Sequence, residues 1–307
     1  MLRFVARRLW GGGLTLAALV TLTFFIMRLA PGGPFSRNRK VSPEVLENIK
    51  RAFHLDEPIW QQYARWVWGL LHLDLGPSTR FRDYSVGDLI ASGLPYSLTI
   101  GFWAIVVAGL VGVALGIAGA LRRNGATDYA AGIVGVIGIA IPIFVLGPLA
   151  QVLFALKLNW LPVGGIAAGW RSLILPILIL ALPNIAYISR LTRSSMIEVM
   201  RENYVRTARA KGIGPRRVLT GHILTGALLP VIAYLGPATA AIITGSILIE
   251  TVFAVPGVGR HFVDAALNRD YPLVMGITIL YGGLVILFNI ATDLLRGWID
   301  PRVRSHG

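Results

Sequence analysis

Residues 96–120 read YSLTIGFWAIVVAGLVGVALGIAGA, a run without a single charged side chain. As an α-helix it would rise about 38 Å, enough to cross the roughly 30 Å hydrocarbon core of a bilayer. Ala108, Gly112, Gly116 and Ala120 recur every four positions and so form one bare stripe along that helix. A stripe of this kind lets a second backbone approach closely, which predicts a helix packed inside a bundle. A barrel strand would instead show a short stretch of alternating polarity.

Outward from this run, five more stretches share its character, at 10–29, 129–156, 173–188, 227–253 and 273–294. Hydrophobic residues make up 55% of the 307 and charged ones 14%, a balance too apolar for a soluble domain. Backbone groups in lipid must be bonded within the segment, so the stretches are helices. The expected fold is all-α: a polytopic membrane bundle of six transmembrane helices. Residues 1–29 supply a cytoplasmic tip and the first span, 30–95 an amphipathic extracytoplasmic insertion, 96–294 a five-helix core with a cytoplasmic loop at 190–225, and 295–307 a cytoplasmic tail.

The net charge of +14 is distributed by side. Arg3, Arg7 and Arg8 precede the first span, Arg122 and Arg123 follow the second, and the 190–225 loop carries eight basic residues from Arg190 to Arg217. With Arg296, Arg302 and Arg304 in the tail, six spans put all of these on one side, which the positive-inside rule makes cytoplasmic, with both termini there. Topology accounts for the bias, and nucleic acid is not an expected partner. The first span follows a positive n-region but is longer than a signal-peptide core and lacks a small-x-small site, so it is expected to remain as a helix.

Chemistry-bearing constellations are few. The chain has no cysteine, and its histidines His54, His72, His222, His261 and His306 form no ligand spacing. No phosphate-binding GxxxxGK[ST] loop is present. The expectation is a non-catalytic chain binding no metal and no cofactor of its own. The prolines 142, 148, 176, 183, 230 and 237 fall in the third to fifth spans, as packing kinks or as hinges around a hydrated interior. Gly236, Pro237, Ala240, Thr244, Gly245 and Ser246 offer a small, weakly polar face expected to line a pore, with cysteine at 244 or 246 open to water-soluble reagents. Glu250 is the conspicuous acid near a span, a functional candidate or a cap or ion-pair partner of Arg260 or Arg269. A secondary carrier would need coupling-ion ligands within the spans, and almost none are present.

Two amphipathic helices are expected in the insertion. One starts at Ser42-Pro43-Glu44. The other follows Asp56-Glu57-Pro58 with Ile59, Tyr63, Trp66, Val67 and Leu70 in one stripe and Trp60 and Trp68 beside it, suited to a membrane interface or to a cap on the bundle. In the basic loop, Asn203-Tyr204-Val205-Arg206-Thr207-Ala208-Arg209-Ala210-Lys211-Gly212 reads as a short helix that Asn203 caps and Gly212, Gly214 and Pro215 stop. Ala208 and Gly212 lie at i and i+4, a nearly bare face suited to a partner's groove.

This loop, with the downstream Ala227-Leu228-Leu229-Pro230, resembles the coupling loop of the membrane permeases of ATP-binding-cassette importers, in their peptide, oligopeptide and nickel group. The likeness extends through Met27-Arg28-Leu29-Ala30-Pro31-Gly32, Leu73-Asp74-Leu75-Gly76-Pro77-Ser78, Glu250-Thr251-Val252-Phe253, Pro256-Gly257-Val258-Gly259, Asn268-Arg269-Asp270-Tyr271 and Asp300-Pro301-Arg302. Ser42-Pro43-Glu44, His54-Leu55-Asp56-Glu57-Pro58 and Asp83-Tyr84-Ser85-Val86 look most like the B-type permease of oligopeptide importers. The resemblance implies a type I importer fold in a bacterial cytoplasmic (inner) membrane, surrounded by membrane lipid. It also implies a second, different permease, two ATPase subunits that hold ATP and Mg, an extracytoplasmic peptide-binding protein and a peptide substrate. Residues Tyr204 to Gly212 would couple to an ATPase. Dipeptide and nickel permeases share this framework and stay open as substrate classes.

Overall fold

The computed structural model describes residues 2–29, 56–81 and 83–299. The helix start at Ser42 and the Asp300-Pro301-Arg302 stretch lie outside them. In order the chain forms α1 (Leu2–Leu29), α2 (Ile59–Leu71), α3 (Val86–Leu121), α4 (Ala126–Ala140), α5 (Ile143–Ala150), α6 (Arg171–Val199), α7 (Asn203–Ala210), α8 (Pro215–Val218), α9 (Leu229–Val252), α10 (Val258–Asn268) and α11 (Tyr271–Ile299). Wide π turns at Gln151–Lys157 and Leu219–Ile223 extend α5 and α8, and Leu224–Ala227 leads into α9. Among the described residues no strand forms; Pro77 and Ser85 make an isolated bridge.

Among the described residues five helices are long and apolar enough to span a membrane: Val5–Leu29, Val86–Leu121, Arg171–Val199, Leu229–Val252 and Tyr271–Leu295. The segment expected as one continuous helix over 129–156 comes instead in two pieces. Helix α4 stops at Ala140, Ile141 turns extended (φ −97, ψ 120), and Pro142 precedes α5. Proline disfavours the helical conformation in the residue before it and offers no N–H of its own. Pro95, Pro148, Pro176, Pro183 and Pro237 nevertheless sit inside continuous helices, and Pro230 lies in the first turn of α9, where no donor is needed.

Helix α3 begins ten residues ahead of the expected start at Tyr96. A capping box explains this: Ser85 Oγ accepts the Asp88 N–H (3.0 Å) and Asp88 accepts the Ser85 N–H (3.1 Å). The last part of the 30–95 insertion therefore belongs to the span helix. The C-terminal half of α3 packs along α6 through the small-residue stripe. A Cβ on Gly112 would lie 2.9 Å from Ile188 Cβ, and one on Gly116 would lie 2.5 Å from Thr192 Cβ and 2.7 Å from the Ser189 carbonyl oxygen. Ala108 and Ala120 are buried on the same face. Gly116→Leu is expected to push these helices apart at a cost of about 1–3 kcal/mol, read as a lower melting temperature of the purified protein.

Three apolar clusters hold the bundle. A central one joins Ile100, Leu180, Ile188, Ile242 and Phe253 across α3, α6 and the α9 end. A second ties Val86, Leu89 and Ile90 to Val258, Leu273 and Ile277 at one end, and a third lies at the opposite end under α7. Helix α2 leans on α1: the Phe24 ring lies 5.3 Å from Tyr63 and 5.5 Å from Trp66, and Thr21 Oγ1 is 2.8 Å from the Tyr63 hydroxyl. Trp60 and Trp68 stay exposed.

Candidate coupling helix and transport path

Helix α7 has the expected extent, but its start is built differently. Glu202 (φ −63, ψ 146) occupies the cap position and makes no side-chain capping bond, while Asn203 is already helical and its carbonyl accepts the Thr207 hydroxyl (3.0 Å). The stop is as expected. Gly212 takes φ +74, the Gly212 N–H reaches the Arg209 carbonyl (3.0 Å) and the Ile213 N–H reaches the Ala208 carbonyl (3.3 Å). That pair of reversed bonds is the Schellman ending, which needs a left-handed residue where glycine alone carries no Cβ penalty.

The face expected to meet a partner is not the one presented. Val205 is fully buried and Ala208 is 4% exposed, packed with Ala120, Met196, Val218, Ile223 and Ala227 of the same chain. An eight-residue helix is too short to persist by backbone bonding alone, so its two aliphatic positions anchor it to the ends of α3 and α6. The opposite ridge is Asn203, Arg206, Thr207 and Ala210, at i, i+3, i+4 and i+7, all exposed. Tyr204, Arg209, Lys211 and Gly212 flank it and are exposed too. Below this helix a bidentate ion pair fixes the frame: Arg193 donates to both Asp128 oxygens (2.6 and 2.7 Å), and the Asn124 N–H reaches Asp128 (2.9 Å).

Along α9 the expected pore residues separate by face. Gly236 is buried, and a Cβ there would lie 2.9 Å from Thr292 Oγ1 and 3.1 Å from Asn289 Oδ1, so it is a contact point with α11. Ser246 is 1% exposed and donates to the Ile243 carbonyl (2.7 Å). Both are corrections to the lining, because Gly236 is covered by the chain's own α11 and Ser246 is closed inside the bundle. Ala240 and Gly245 are half-buried, whereas Pro237 and Thr244 are exposed. With Ala241, Leu248 and Thr251 they form an open stripe spaced by four, three, four and three. Beside it lies a cavity of about 310 Å³ bounded by Leu180, Pro183, Asn184, Tyr187, Tyr234 and Gly245 among others. Its wall includes Tyr187 stacked on Tyr234 at 4.1 Å, whose hydroxyl donates to Asn184 Oδ1 (3.1 Å). Thr244→Cys is expected to react with a membrane-impermeant maleimide while Ser246→Cys stays protected; the reverse pattern would place the path elsewhere.

Glu250 is fully buried and faces away from that stripe. Its Oε2 accepts the Gly259 N–H (2.7 Å), and Ser97 Oγ of α3 accepts the Val258 N–H (2.9 Å). The first turn of α10 has only Gly257 as its own cap, so the side chains that satisfy it come from α9 and α3. Of the two expected roles, capping is realised, while Arg260 turns to the Ala254 carbonyl (3.3 Å). On α10 itself, burial pushes the His261 imidazole below its ordinary value.

A second buried acid carried no individual role in the sequence reading. Asp270, fully buried, accepts the Ser78 hydroxyl and the N–H groups of Thr79 (3.2 Å), Arg80 (3.3 Å) and Leu273 (3.3 Å). It caps α11 and clamps the loop that leads into α3. Its loop partners are some 190 residues away in sequence, and the one available signal was that both stretches belong to the motifs that carry the family resemblance.

Long apolar helices with an amphipathic helix pinned across the basic end make a membrane-embedded helical bundle. The chain belongs to the family described as binding-protein-dependent transport system inner membrane component, which matches residues 112–305, and its N-terminal companion, binding-protein-dependent transport system membrane component N-term, matches residues 1–100. Similar proteins include the oligopeptide transport system permease protein OppB of Escherichia coli (strain K12), 48% identical over 99% of this chain and all of that protein. The dipeptide transport system permease protein DppB of Bacillus subtilis (strain 168) is 42% identical over all of this chain and 99% of its own. In fold the chain is similar to a solved structure of the MetNI methionine ABC transporter in an inward-facing conformation, with a TM-score of 0.59 and 17% identity over 69% of this chain and 96% of that one.

Proposed function

We propose that this chain is a permease subunit of an ATP-driven oligopeptide importer in the bacterial inner membrane. It forms half of a path shared with a second, different permease, and both termini are cytoplasmic. Two ATPase subunits bind ATP and Mg and do the hydrolysis, this chain performs no chemistry, and a peptide-binding protein delivers substrate from outside. The observation that carries the substrate class is the full-length 48% identity to OppB of Escherichia coli. Helix α7 supplies the mechanical part: anchored from within by Val205 and Ala208, it transmits a push on its outer ridge straight into α3 and α6. A partner moves this equilibrium only through different affinity for the two permease states, and a rigidly seated helix is what lets such a difference be felt in the bundle.

The test separates the two faces of α7. Ala210→Trp combined with Arg206→Glu, on the exposed ridge, is expected to abolish ATPase retention and peptide uptake at normal permease abundance. Ala208→Trp overpacks the chain's own core and is expected to lower permease abundance itself, by about 1–3 kcal/mol of stability. Normal retention and uptake in the ridge double variant would remove α7 from coupling. Competition of tripeptide to pentapeptide uptake by dipeptides or nickel distinguishes the substrate classes.

A further inference from the structure

The cavity of about 310 Å³ beside α9 lies where Asn184, near the middle of α6, and the break between α4 and α5 border the same space. Ile139 and Ile143, one on each side of that break, line it together with Asn184, Tyr187 and Tyr234, and among the described residues that line it none is charged. Asn184 is only 6% exposed, and its Oδ1 accepts the Tyr234 hydroxyl at 3.1 Å. Its amide N–H groups donate to no acceptor among the described residues.

The break supplies acceptors. A continued α4 would bond the Gly138 carbonyl to the N–H of residue 142, and proline has none. Ile141 turns extended (φ −97, ψ 120) and Pro142 follows (φ −58, ψ 141), so the next helix starts afresh. Among the described residues no N–H or hydroxyl donates to the carbonyls of Gly138, Ile139, Ala140 and Ile141. Irregular backbone at membrane depth persists only where it is buried in protein or borders a wet cavity, because hydrocarbon offers an open carbonyl nothing. A side-chain amide as buried as Asn184 carries the same demand for a partner. The two demands belong to residues around one cavity.

From this pairing we propose that the cavity holds a short stretch of the main chain of a peptide in transit, Asn184 donating to a peptide carbonyl and the open carbonyls of 138–141 accepting peptide N–H groups. The inference rests on the reading of this chain as half of a peptide path. Each peptide unit brings one N–H and one C=O, and the residues around the cavity offer the counterpart of each. An uncharged lining gives neither peptide terminus a partner, and burying an unpaired ammonium or carboxylate is costly. The middle of the peptide is therefore what fits. Extended backbone at Ile141 and Pro142 can run beside an extended peptide as an added strand does. Tyr187 stacked on Tyr234, with 4.1 Å between ring centroids, lends a flat surface that tolerates apolar and polar side chains alike. At about 310 Å³ the space is at the small end of ligand cavities, enough for part of a peptide and not the whole. Such a site reads what all peptides share and is blind to their sequence.

The test uses the assembled transporter in proteoliposomes, with its binding protein saturated by trialanine or by the same tripeptide carrying phenylalanine or lysine in the middle. Uptake per ATP hydrolysed is measured. Asn184→Leu, which removes the donors at similar volume, is expected to lower it about fivefold for all three peptides alike. Tyr234→Phe breaks only the bond to Oδ1 and leaves the amide donors, so a loss of about twofold is expected. Equal losses in the two variants would mean that Asn184 merely holds Tyr234, and a loss confined to one peptide would mean that the cavity reads side chains; either overturns the proposal. N-methylation of the central peptide bond of trialanine removes a peptide donor, and uptake of that peptide by the wild type, again at saturation of the binding protein, is expected to fall about fivefold. Undiminished uptake of the methylated peptide would overturn the carbonyl contacts. If Asn184→Leu does not assemble, the methylated peptide on the wild type still decides. A wild type that takes up no peptide at all would count against the transport reading, whereas uptake shared equally by wild type and variants would remove this site alone.

Discussion

Asp270→Ala is expected to destabilise the protein by about 3–4 kcal/mol, since it strips a buried acceptor from several donors at once. The Ser78 hydroxyl and the Thr79, Arg80 and Leu273 N–H groups all end on this one carboxylate. An unmade hydrogen bond at a buried group costs the full desolvation of that group, and Ser78, Asp270 and Leu273 are all buried. The loss propagates in two directions, unfastening the first turn of α11 and releasing the loop that positions the Ser85 cap of α3. Asp270→Asn keeps one acceptor oxygen but turns an amide donor toward converging donors, so an intermediate loss is expected. Thermal melting of the purified transporter gives the order wild type, Asn, Ala. Protease cutting at 71–81, measured under native conditions, should rise in the same order. An Ala variant as stable and as resistant as wild type would mean the clamp carries no energy.

The spans were legible because bilayer thickness makes a blunt demand on sequence: some twenty apolar residues in a row have few alternatives. The small-residue stripe of α3 was equally readable, since Gly112 and Gly116 have no other use in a helix than close approach. Which proline breaks its helix was not. Pro142 interrupts while Pro148, Pro176 and Pro183 do not, and each of these prolines makes the same local demand on the backbone, so the sequence alone does not separate them. The outward face of α7 was misread for a different reason. A bare Ala and Gly pair looks like a docking surface, yet Val205 and Ala208 are the only aliphatic pair that an i, i+3 spacing can bury in that helix, and a helix on the membrane surface anchors itself before it receives a partner. Roles for Glu250 and Asp270 depend on donors brought by folding from distant parts of the chain, and a single sequence holds no distance information about them.

The junction of α9, α10 and α3 supplies the second large effect. Glu250→Ala is expected to cost about 2–4 kcal/mol, combining a cavity with an unpaired Gly259 N–H in a dry site. Glu250→Gln retains an oxygen for that N–H and is close to Glu in volume, so a much smaller loss is expected. Packing imposes a parallel demand on the glycines. A Cβ on Gly259 would sit 2.5 Å from Ile247 Cα and 2.8 Å from Glu250 Oε2, and one on Gly257 would run into the Glu250 carboxylate and lie 2.8 Å from Ser97 Oγ. Backbone cannot yield as a flexible side-chain end does, so Gly259→Ala should be nearly as damaging as Glu250→Ala even though it adds a single methyl. The matching observation is membrane abundance and melting temperature for all three variants beside peptide uptake. Gln is expected close to wild type in each, with Ala at 250 and Ala at 259 low in abundance and uptake together. Glu250→Gln that folds fully but fails to transport would instead give the ionisable carboxyl a part in the transport cycle, because the capping geometry survives that change and only the ability to ionise is removed.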